Sequence, residues 1–383
     1  MSFDTITEDD LRAAGSVKWT MFPDTIGAFV AEMDFGVASP IADALADAVG
    51  QGLTGYLPAH LDESLRSATA DRYARVHGWH IDPDQVRLVP DVITALEFAI
   101  ERFTEPGDAI IVPTPAYMPF LTVPPRHDRR VIEVPSREVD GRWTIDLDAV
   151  AQAFADGGRL LVLCNPHNPL GTVATRDELL EIARVVTDAA GAVFSDEIHA
   201  PLVYAPAQHV PYASVSAEAA AHTVTAASAS KAWNLAGLKC AQLILSDDES
   251  VELWTSTGGW AGHGTSTLGA VANVAAYAEG EEWLDQVVAY LDGNRRRLAE
   301  LVAEIPGVTV TVPEGTYIAL LDFRGTGLTG DLGEWFREHA GVAMTDGALC
   351  GEAAIGMTRF VFATPRPILE EAVRRIADAL AAR

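Results

Sequence analysis

Short apolar runs alternate with amphipathic stretches from about Asp108 to Ser246, and this alternation constrains the fold more than any other feature of the chain. The runs are AIIVP at 109, RLLVLCNP at 159, AVFSDE at 192, HTVTAAS at 222 and AQLILS at 241. Because Pro, Gly or Asp bounds them, they are typical of buried parallel strands, and the stretches between them are typical of crossover helices. The clearest helix is expected from Thr175, its cap, to Gly191 at its end. The pattern predicts an α/β sheet covered by helices on both faces.

The last hundred residues follow a different pattern, which indicates a second structural unit. A long charged helix is expected at roughly residues 281–304, followed by the strand-like segment VTVTVPEGTYIALLDF, a short helix near Leu332, and RFVFATP before a closing helix. A chain of 383 residues suits one large domain plus a smaller one. We therefore predict a large domain over residues 50–280 and a small domain formed by residues 1–49 and 281–383.

The composition disfavours several classes of protein. With 27 basic and 54 acidic residues, the formal charge of −27 creates a field that repels nucleic acid and anionic membrane surfaces. The three cysteines, Cys164, Cys240 and Cys350, lack any CxxC or Cys/His grouping, which argues against a disulfide framework and against a zinc site. No stretch reaches the length of a membrane span, and the first twenty residues lack an apolar core segment. We expect a soluble cytoplasmic protein without a metal, a nucleic-acid partner or a membrane partner.

Lysine is rare in this chain, and its placement suggests a cofactor. Only Lys18, Lys231 and Lys239 occur, and the last two lie in the segment SASKAWNLAGLK. Arginine does not lose its proton, so an amine that attacks a carbonyl has to be lysine. The pair suggests a lysine that forms a Schiff base with pyridoxal phosphate, and a second cation for the phosphate. The alternative for Lys231 is a surface position, but a segment rich in Ser, Ala and Gly that also contains the apolar residues Trp233, Leu235 and Leu238 is a poor solvated face.

Two polar residues that follow apolar runs could complete such a site, because functional residues of open α/β sheets gather at the carboxyl ends of strands. Asp196 in VFSDEIH could keep the pyridine nitrogen of the cofactor protonated, and Asn168 in CNPHNPLG could donate to its ring oxygen. Considered alone, an SDE segment is more often a helix cap, and NPHNP is more often a rigid turn. The predicted phosphate ligands are Ser228, Lys239 and the backbone amides of Val92 and Ile93 at a helix start.

One motif suggests a different ligand. The segment GTGLTG at residues 325–330 matches the GxGxxG dinucleotide fingerprint and precedes a short helix. However, the chain ends too soon after it for the remaining strands of a dinucleotide-binding domain. We therefore interpret it as a glycine-rich turn of the small domain.

Several segments together resemble a known family. The segments LCNPHNPLGTV, SDEIHAPLVY and SKAWNLAGLK resemble the fold-type I pyridoxal phosphate enzymes of the aminotransferase class I/II superfamily, and within them the MalY/PatB-type cystathionine β-lyases, or C–S lyases. The likeness extends to VKWT at 17, FVAEMDFGVASPI at 29, LTGYLP at 53, TPAYMPF at 114, PEGTYIALLDFR at 313 and TRFVFATPR near the end. It implies an α/β fold with a large domain, whose mostly parallel seven-stranded sheet is sandwiched by helices, plus a smaller α/β domain.

The resemblance also implies roles for individual residues. Tyr117 is similar to the aromatic residue stacked on the cofactor ring, and Arg359 to the arginine that binds the α-carboxylate of the substrate through its planar fork. Tyr56 is similar to a catalytic and substrate-binding tyrosine that reaches the site of the neighbouring subunit, which implies a homodimer. The roles proposed above from the residues alone are implied again for Lys231, Asp196, Asn168, Ser228 and Lys239.

The chain also departs from the family pattern. Asp91 stands where the family usually has glycine, and an aspartate beside a phosphate would repel it unless its side chain turns away. The other departures are Val361 for asparagine, Pro201 for an acidic residue, and Ala232 and Trp233 for Thr and Phe.

The expected reaction is β-elimination from cystathionine or a related sulfur amino acid, which gives a thiol, pyruvate and ammonia. In this scheme the freed Lys231 amine removes the α-proton, for which it must be neutral. An aminotransferase shares the early steps, and the residue types of the site do not separate the two reactions. A non-catalytic regulatory protein on the same fold is the third reading of the sequence.

Overall fold

The computed structural model describes residues 3–383, in which strands and helices alternate over most of the chain. The helices are α1 (Glu8–Ala14), α2 (Val17–Thr20), α3 (Ser39–Gly50), α4 (Ala59–His77), α5 (Val92–Phe103), α6 (Pro119–Thr122), α7 (Leu147–Ala155), α8 (Arg176–Asp188), α9 (Ala217–Ala221), α10 (Asp248–Ser256), α11 (Thr267–Glu279), α12 (Glu281–Ala303), α13 (Leu332–His339) and α14 (Arg366–Ala381). The strands are β1 (Ile26–Gly27), β2 (Val86–Val89), β3 (Ala109–Thr114), β4 (Arg130–Pro135), β5 (Arg137–Val139), β6 (Arg142–Thr144), β7 (Gly158–Cys164), β8 (Ala192–Asp196), β9 (Thr223–Ala227), β10 (Ala241–Leu245), β11 (Thr309–Val310), β12 (Ile318–Asp322), β13 (Val342–Ala343), β14 (Thr345–Asp346) and β15 (Met357–Val361).

A seven-stranded sheet with the order β2-β10-β9-β8-β7-β3-β4 forms the centre of the fold, as predicted. Every predicted apolar run forms a strand of this sheet, and β3, β7, β8 and β9 are buried throughout except for Arg159. The expectation that all five runs are parallel is wrong for β10, which is antiparallel to both of its neighbours. The reason is the connection from β9 to β10, which contains only the short 3-10 helix Ala236–Leu238 instead of a crossover helix, so the chain runs back along β9.

Helix α8 begins where the sequence predicts but ends earlier than expected. Thr175 caps it and Glu178 bonds back to the amide of Thr175, so the predicted start is confirmed. The helix ends at Asp188 rather than near Gly191, because Ala190 already adopts a left-handed φ of 49°. Gly191 is needed for a different reason: a Cβ there would lie 2.3 Å from the ring of Phe154.

The C-terminal part of the chain builds a second, four-stranded antiparallel sheet with the order β11-β12-β15-β14. The N-terminal segment joins it through β1, which pairs in parallel with β13. The segment GTGLTG contains a 3-10 turn at Arg324–Thr326 and positive φ values at Gly327 and Gly330, as expected for a glycine-rich turn. The predicted domain boundaries at residues 50 and 280 stay a prediction, since one apolar cluster contains residues from both sides of each boundary.

Three further observations concern cysteines, membrane-spanning helices and metal sites. All three cysteines are buried and free. Within residues 3–383, no helix combines the length and the apolar character needed to cross a membrane. The same residues contain no group of three or more His, Cys, Asp or Glu side chains arranged to hold a metal ion.

Candidate active site

A cavity of about 520 Å³ lies at the carboxyl edge of the central sheet, where β7, β8 and β9 end. Cys164 pairs with Asp196 and Asp196 with Ala226, so these strands stop in register and bring the loops that follow them together. Arg359 enters the cavity from β15 of the second sheet. The cavity is lined by eight of the predicted site residues, namely Val92, Ile93, Tyr117, Asn168, Asp196, Lys231, Lys239 and Arg359.

Lys231 offers a half-buried amine with few partners. Its Nζ donates to the carbonyl oxygen of Ala31 at 3.1 Å, and the hydroxyl of Tyr317 donates to the same oxygen at 2.9 Å. Burial, together with the positive charge of Arg359, lowers the pKa of the Lys231 amine to about 8. A large fraction of this amine is therefore neutral slightly above neutral pH, which is the form that attacks carbonyls and accepts protons.

Asp196, the last residue of β8, is buried beside Lys231. Its Oδ1 accepts from the amide of Ile198 at 3.1 Å, and its Oδ2 lies 3.8 Å from the thiol of Cys164. Burial raises the pKa of the Asp196 carboxyl to about 7, although the Ile198 amide and the charge of Lys231 act in the opposite direction. Such a group favours the nearby binding of a cation, which would lower its pKa again.

Asn168 and Arg359 have buried polar atoms without partners. Neither the Oδ1 atom of Asn168 nor the Nε atom of Arg359 has a hydrogen-bond partner among the described residues. The guanidinium of Arg359 donates through Nη2 to the carbonyl oxygen of Phe29 at 3.1 Å and lies 3.9 Å from Sδ of Met118. Burial lowers the pKa of Arg359, and no carboxylate of the described residues pairs with it. A buried guanidinium without a carboxylate partner favours the binding of an anionic ligand.

At the other end of the cavity, Lys239 faces the start of α5. Its Nζ forms an ion pair with Oδ2 of Asp91 at 2.9 Å, while Oδ1 of Asp91 caps the helix by accepting from the amide of Thr94 at 2.9 Å. Burial opposes ionisation of Asp91, but the hydrogen bonds from Thr94 and Lys239 prevail and lower its pKa. The Asp91 side chain, which was expected to repel a phosphate unless it turned away, thus forms an ion pair with Lys239.

Two predicted site residues lie outside this cavity. Ser228 is buried and its hydroxyl is already used, because it donates to the carbonyl of Cys240 and accepts from the amide of Ser230, and it is Ser230 that lines the cavity. Tyr56 is 91% exposed and lies with Trp260 and His263 on another part of the surface. Neither position tests the role that the resemblance implies.

The structure adds cavity residues to which the sequence analysis gave no role. Phe29, Val30 and Ala31 belong to the quoted segment FVAEMDFGVASPI, but nothing in their side chains indicated that their backbone reaches Lys231 and Arg359. His199 is a further residue of this kind. It is buried in the cavity wall with Nδ1 3.1 Å from Oγ1 of Thr316, and burial lowers its pKa to about 3. Its position three residues after Asp196 was the available signal.

Pyridoxal phosphate fits the residues of this cavity on chemical grounds. They offer an amine for its aldehyde, a buried carboxyl for its ring nitrogen, a side-chain amide for its ring oxygen, and a lysine with helix amides for its phosphate. Asp91 is the one element that opposes the phosphate.

A family model described as "Aminotransferase class I and II" matches residues 30–376. The chain belongs to this family. Membership in the aminotransferase class I and II family confirms the family predicted from the sequence. It also agrees with the mostly parallel seven-stranded sheet.

Several proteins with similar sequences or structures carry lyase names. The cystathionine β-lyase of Corynebacterium glutamicum is 40% identical over 376 residues, which are 97% of this chain and 98% of that protein. The cystathionine β-lyase PatB of Bacillus subtilis is 32% identical, over 99% of this chain and 100% of that protein. A crystal structure of a candidate PLP-dependent β-cystathionase from Corynebacterium diphtheriae has a TM-score of 0.93 and 40% identity, and the match covers 100% of this chain and 99% of that one.

Proposed function

We propose that this protein is a pyridoxal phosphate-dependent C–S lyase that converts cystathionine, or a related sulfur amino acid, into a thiol, pyruvate and ammonia. The observation that carries the choice of reaction is the similarity over nearly the whole length to an enzyme named cystathionine β-lyase. The site supports the chemistry, because the half-buried Lys231 amine and the buried Arg359, which has no carboxylate partner among the described residues, share one cavity.

The residues that would hold the cofactor surround the cavity on three sides. Asp196 would keep a proton on the ring nitrogen, Asn168 would donate its amide hydrogen to the ring oxygen, and Tyr117 would pack against the ring. The phosphate would be bound by Lys239 and the amides of Val92 and Ile93. In this proposal Ser228 acts through Ser230, because the amide of Ser230 donates a hydrogen bond to Oγ of Ser228.

When bound, pyridoxal phosphate supplies an electron sink for the negative charge that develops at the α-carbon of the substrate. Arg359 would bind the α-carboxylate of the substrate with its two parallel N–H groups and so fix the direction of the α-hydrogen. The neutral Lys231 amine would take that hydrogen as a proton and later give it to the departing sulfur. The bond from the β-carbon to sulfur breaks, and the remaining carbon skeleton takes up water to end as pyruvate and ammonia.

The aminotransferase reaction uses the same residues, so the decisive experiment omits its co-substrate. The holoenzyme is incubated with cystathionine in the absence of any keto acid, and pyruvate and free thiol are measured. We expect the two products in equal amounts. If neither product forms, while a keto acid and a standard amino acid exchange their amino group, the lyase proposal is wrong and the aminotransferase reading replaces it.

We also propose a homodimer in which Tyr56 completes the site of the neighbouring subunit, and a cytoplasmic location. Tyr56 and Trp260, which are 91% and 73% exposed, line the same depression of the surface, and this supports the first proposal because a contiguous exposed apolar patch marks an interaction surface. The charge of −27 and three buried free cysteines support the second.

Asp91 is expected to weaken cofactor binding. Asp91→Ser keeps a helix-capping oxygen and removes the carboxylate that pairs with Lys239. Because the Lys239 side chain is 60% exposed, solvent screens this pair, and we expect a gain of about threefold to tenfold in affinity for pyridoxal phosphate. The dissociation constant is measured by absorbance titration of the cofactor-free protein. Lys239→Met is the matched control and should weaken the binding of pyridoxal phosphate. If Asp91→Ser also weakens it, Asp91 positions Lys239 instead of competing with the phosphate.

The depressed pKa of Lys231 can be observed directly, because the chain has only three lysines. In cofactor-free protein with ¹³C-labelled lysine, we expect one of three Cε resonances to titrate near pH 8, since burial favours the neutral amine. The signal should be absent from Lys231→Arg. If the Lys231 resonance instead titrates above pH 10, the amine is solvated and is not available as a neutral base near pH 8.

A further inference from the structure

A second cavity, of about 280 Å³, lies next to the candidate active site. Its walls come from the β5–β6 hairpin and the segment after it, from helix α8, and from the segment that follows β7. Cys164, Asn165 and His167 line this second cavity, whereas Asn168, one residue further along, lines the active-site cavity. The two spaces are therefore separated by a single stretch of backbone.

Two buried polar groups at this second cavity lack partners. Asn165 is 2% exposed and His167 is 7% exposed. The Nδ2 atom of Asn165 and the Nδ1 atom of His167 have no hydrogen-bond partner among the described residues. Burial lowers the pKa of His167 to about 4, so its ring is neutral at physiological pH. Because a buried polar atom without a partner is destabilising, these atoms favour a ligand that forms hydrogen bonds with them.

The remaining walls determine the kind of ligand. Trp143, Ile145 and Ile182 provide apolar surface. Arg142 is neutralised, because it pairs with Glu178 at 2.6 Å and with Glu314 at 2.8 Å. Glu181 adds a negative charge that disfavours anions. A single water could satisfy the polar end but would fill only a small part of the space, since a water takes up about 30 Å³.

We propose that this second cavity binds an uncharged planar molecule of the size of a substituted benzene or a nucleobase, with a hydrogen-bond acceptor that faces Nδ2 of Asn165. The ligand packs its ring against the apolar wall and accepts a hydrogen bond at the polar end. Binding also affects the active site, because the backbone between Asn165 and Asn168 is shared by both cavities. The site is therefore one for an effector of the proposed cofactor-dependent activity.

Benzamide serves as the probe, since it is planar and uncharged and carries one carbonyl acceptor. Its binding to the holoenzyme and to the cofactor-free protein is measured by calorimetry and ligand-observed NMR, with benzoate as the anionic control of equal shape. We expect benzamide to bind both forms and benzoate to bind at least tenfold more weakly. Because the cofactor-free form is included, a failure of the proposed lyase function does not affect this test.

Two variants of helix α8 locate the binding. Ile182→Phe narrows the cavity and should weaken benzamide binding at least tenfold, whereas Leu180→Phe adds the same ring at a position that is 38% exposed and outside the cavity, and should have no effect. Should Ile182→Phe not fold, Asn165→Asp removes the donor but keeps the oxygen that accepts from Ala174, and the same loss is expected. Equal binding by wild type and a folded cavity variant, or no benzamide binding up to its solubility, would overturn the proposal.

The effect on the active site has its own measurement. Saturating benzamide should change the dissociation constant of pyridoxal phosphate at least twofold in the wild type and in Leu180→Phe, and thermodynamic linkage requires the reciprocal change in benzamide affinity. An unchanged constant in the presence of bound benzamide would overturn the effector role.

Discussion

Lys231→Ala is expected to lower the rate of thiol and pyruvate formation by roughly a thousandfold or more, because it removes the proposed proton acceptor and the amine that engages the cofactor. Neither of the two nearby basic side chains can replace the Lys231 amine as proton acceptor. The neighbouring lysine, Lys239, is bound to Asp91, and His199 has a pKa of about 3, too low for an effective base at neutral pH. The measurement is kcat on cystathionine with saturating cofactor, together with the absorbance spectrum of the protein-bound cofactor.

Lys231→Arg is the matched variant, because it keeps a cation in the cavity but cannot supply a neutral amine. It should be as inactive as Lys231→Ala. Melting temperatures of both variants should stay near that of the wild type, since Lys231 makes one hydrogen bond, to the Ala31 carbonyl. If either variant retained more than a tenth of wild-type kcat, Lys231 would not be the proton acceptor.

Mixed dimers of Lys231→Ala with Tyr56→Phe test whether two subunits share an active site. Lys231→Ala and Tyr56→Phe are each expected to be nearly inactive as homodimers. A mixed dimer regains one complete site if Lys231 of one subunit works with Tyr56 of the other. With random exchange of subunits, about a quarter of wild-type activity should return. No recovery in demonstrated mixed dimers would place both residues in one subunit's site.

Much of the fold could be predicted because it depends on local patterns. Buried strands such as β7 and β8 are continuous apolar runs, and α8 begins at a recognisable capping box. The direction of β10 could not be predicted, because it depends on the path of the thirteen residues between β9 and β10, which form the cavity wall instead of a crossover helix. Strands β2 and β4 were also missed: one has four residues, and the other is only partly buried.

The candidate site was predictable where residue type and strand position coincide, as for Asp196 and Lys231. It was not predictable where backbone groups contribute, because a carbonyl such as that of Ala31 or Phe29 leaves no mark in the sequence. Asp91 lies between these cases. The resemblance drew attention to this position, but the pairing of Asp91 with Lys239, 148 positions away, depends on the tertiary fold.

Lys18 was the lysine without an assignable role, and Lys18→Met is expected to lower the free energy of unfolding by ~3–5 kcal/mol. The Lys18 side chain is 0% exposed and its Nζ lies 2.7 Å from Oδ2 of Asp34, whose side chain is 3% exposed. Nζ also donates to the carbonyls of Glu32 and Ala363. Without the ammonium, the Asp34 carboxylate would remain buried with only the indole N–H of Trp19 as a charge-stabilising neighbour. Chemical denaturation of wild type and variant measures the change.

Arg184→Met is the control, because Arg184 and Asp188 also form an ion pair but their side chains are 70% and 69% exposed. Loss of this exposed pair should lower the free energy of unfolding by ~0.5 kcal/mol or less. Adding Asp34→Leu to Lys18→Met should recover part of the lost stability, since the unpaired charge is then gone.

The ion pair of Lys18 and Asp34 anchors the segment from Phe29 to Asp34, whose carbonyls contact Lys231 and Arg359. Lys18→Met should therefore weaken cofactor binding as well as stability, whereas Arg184→Met should change neither. A loss below ~1 kcal/mol for Lys18→Met would mean that desolvation of the two charges already offsets their attraction.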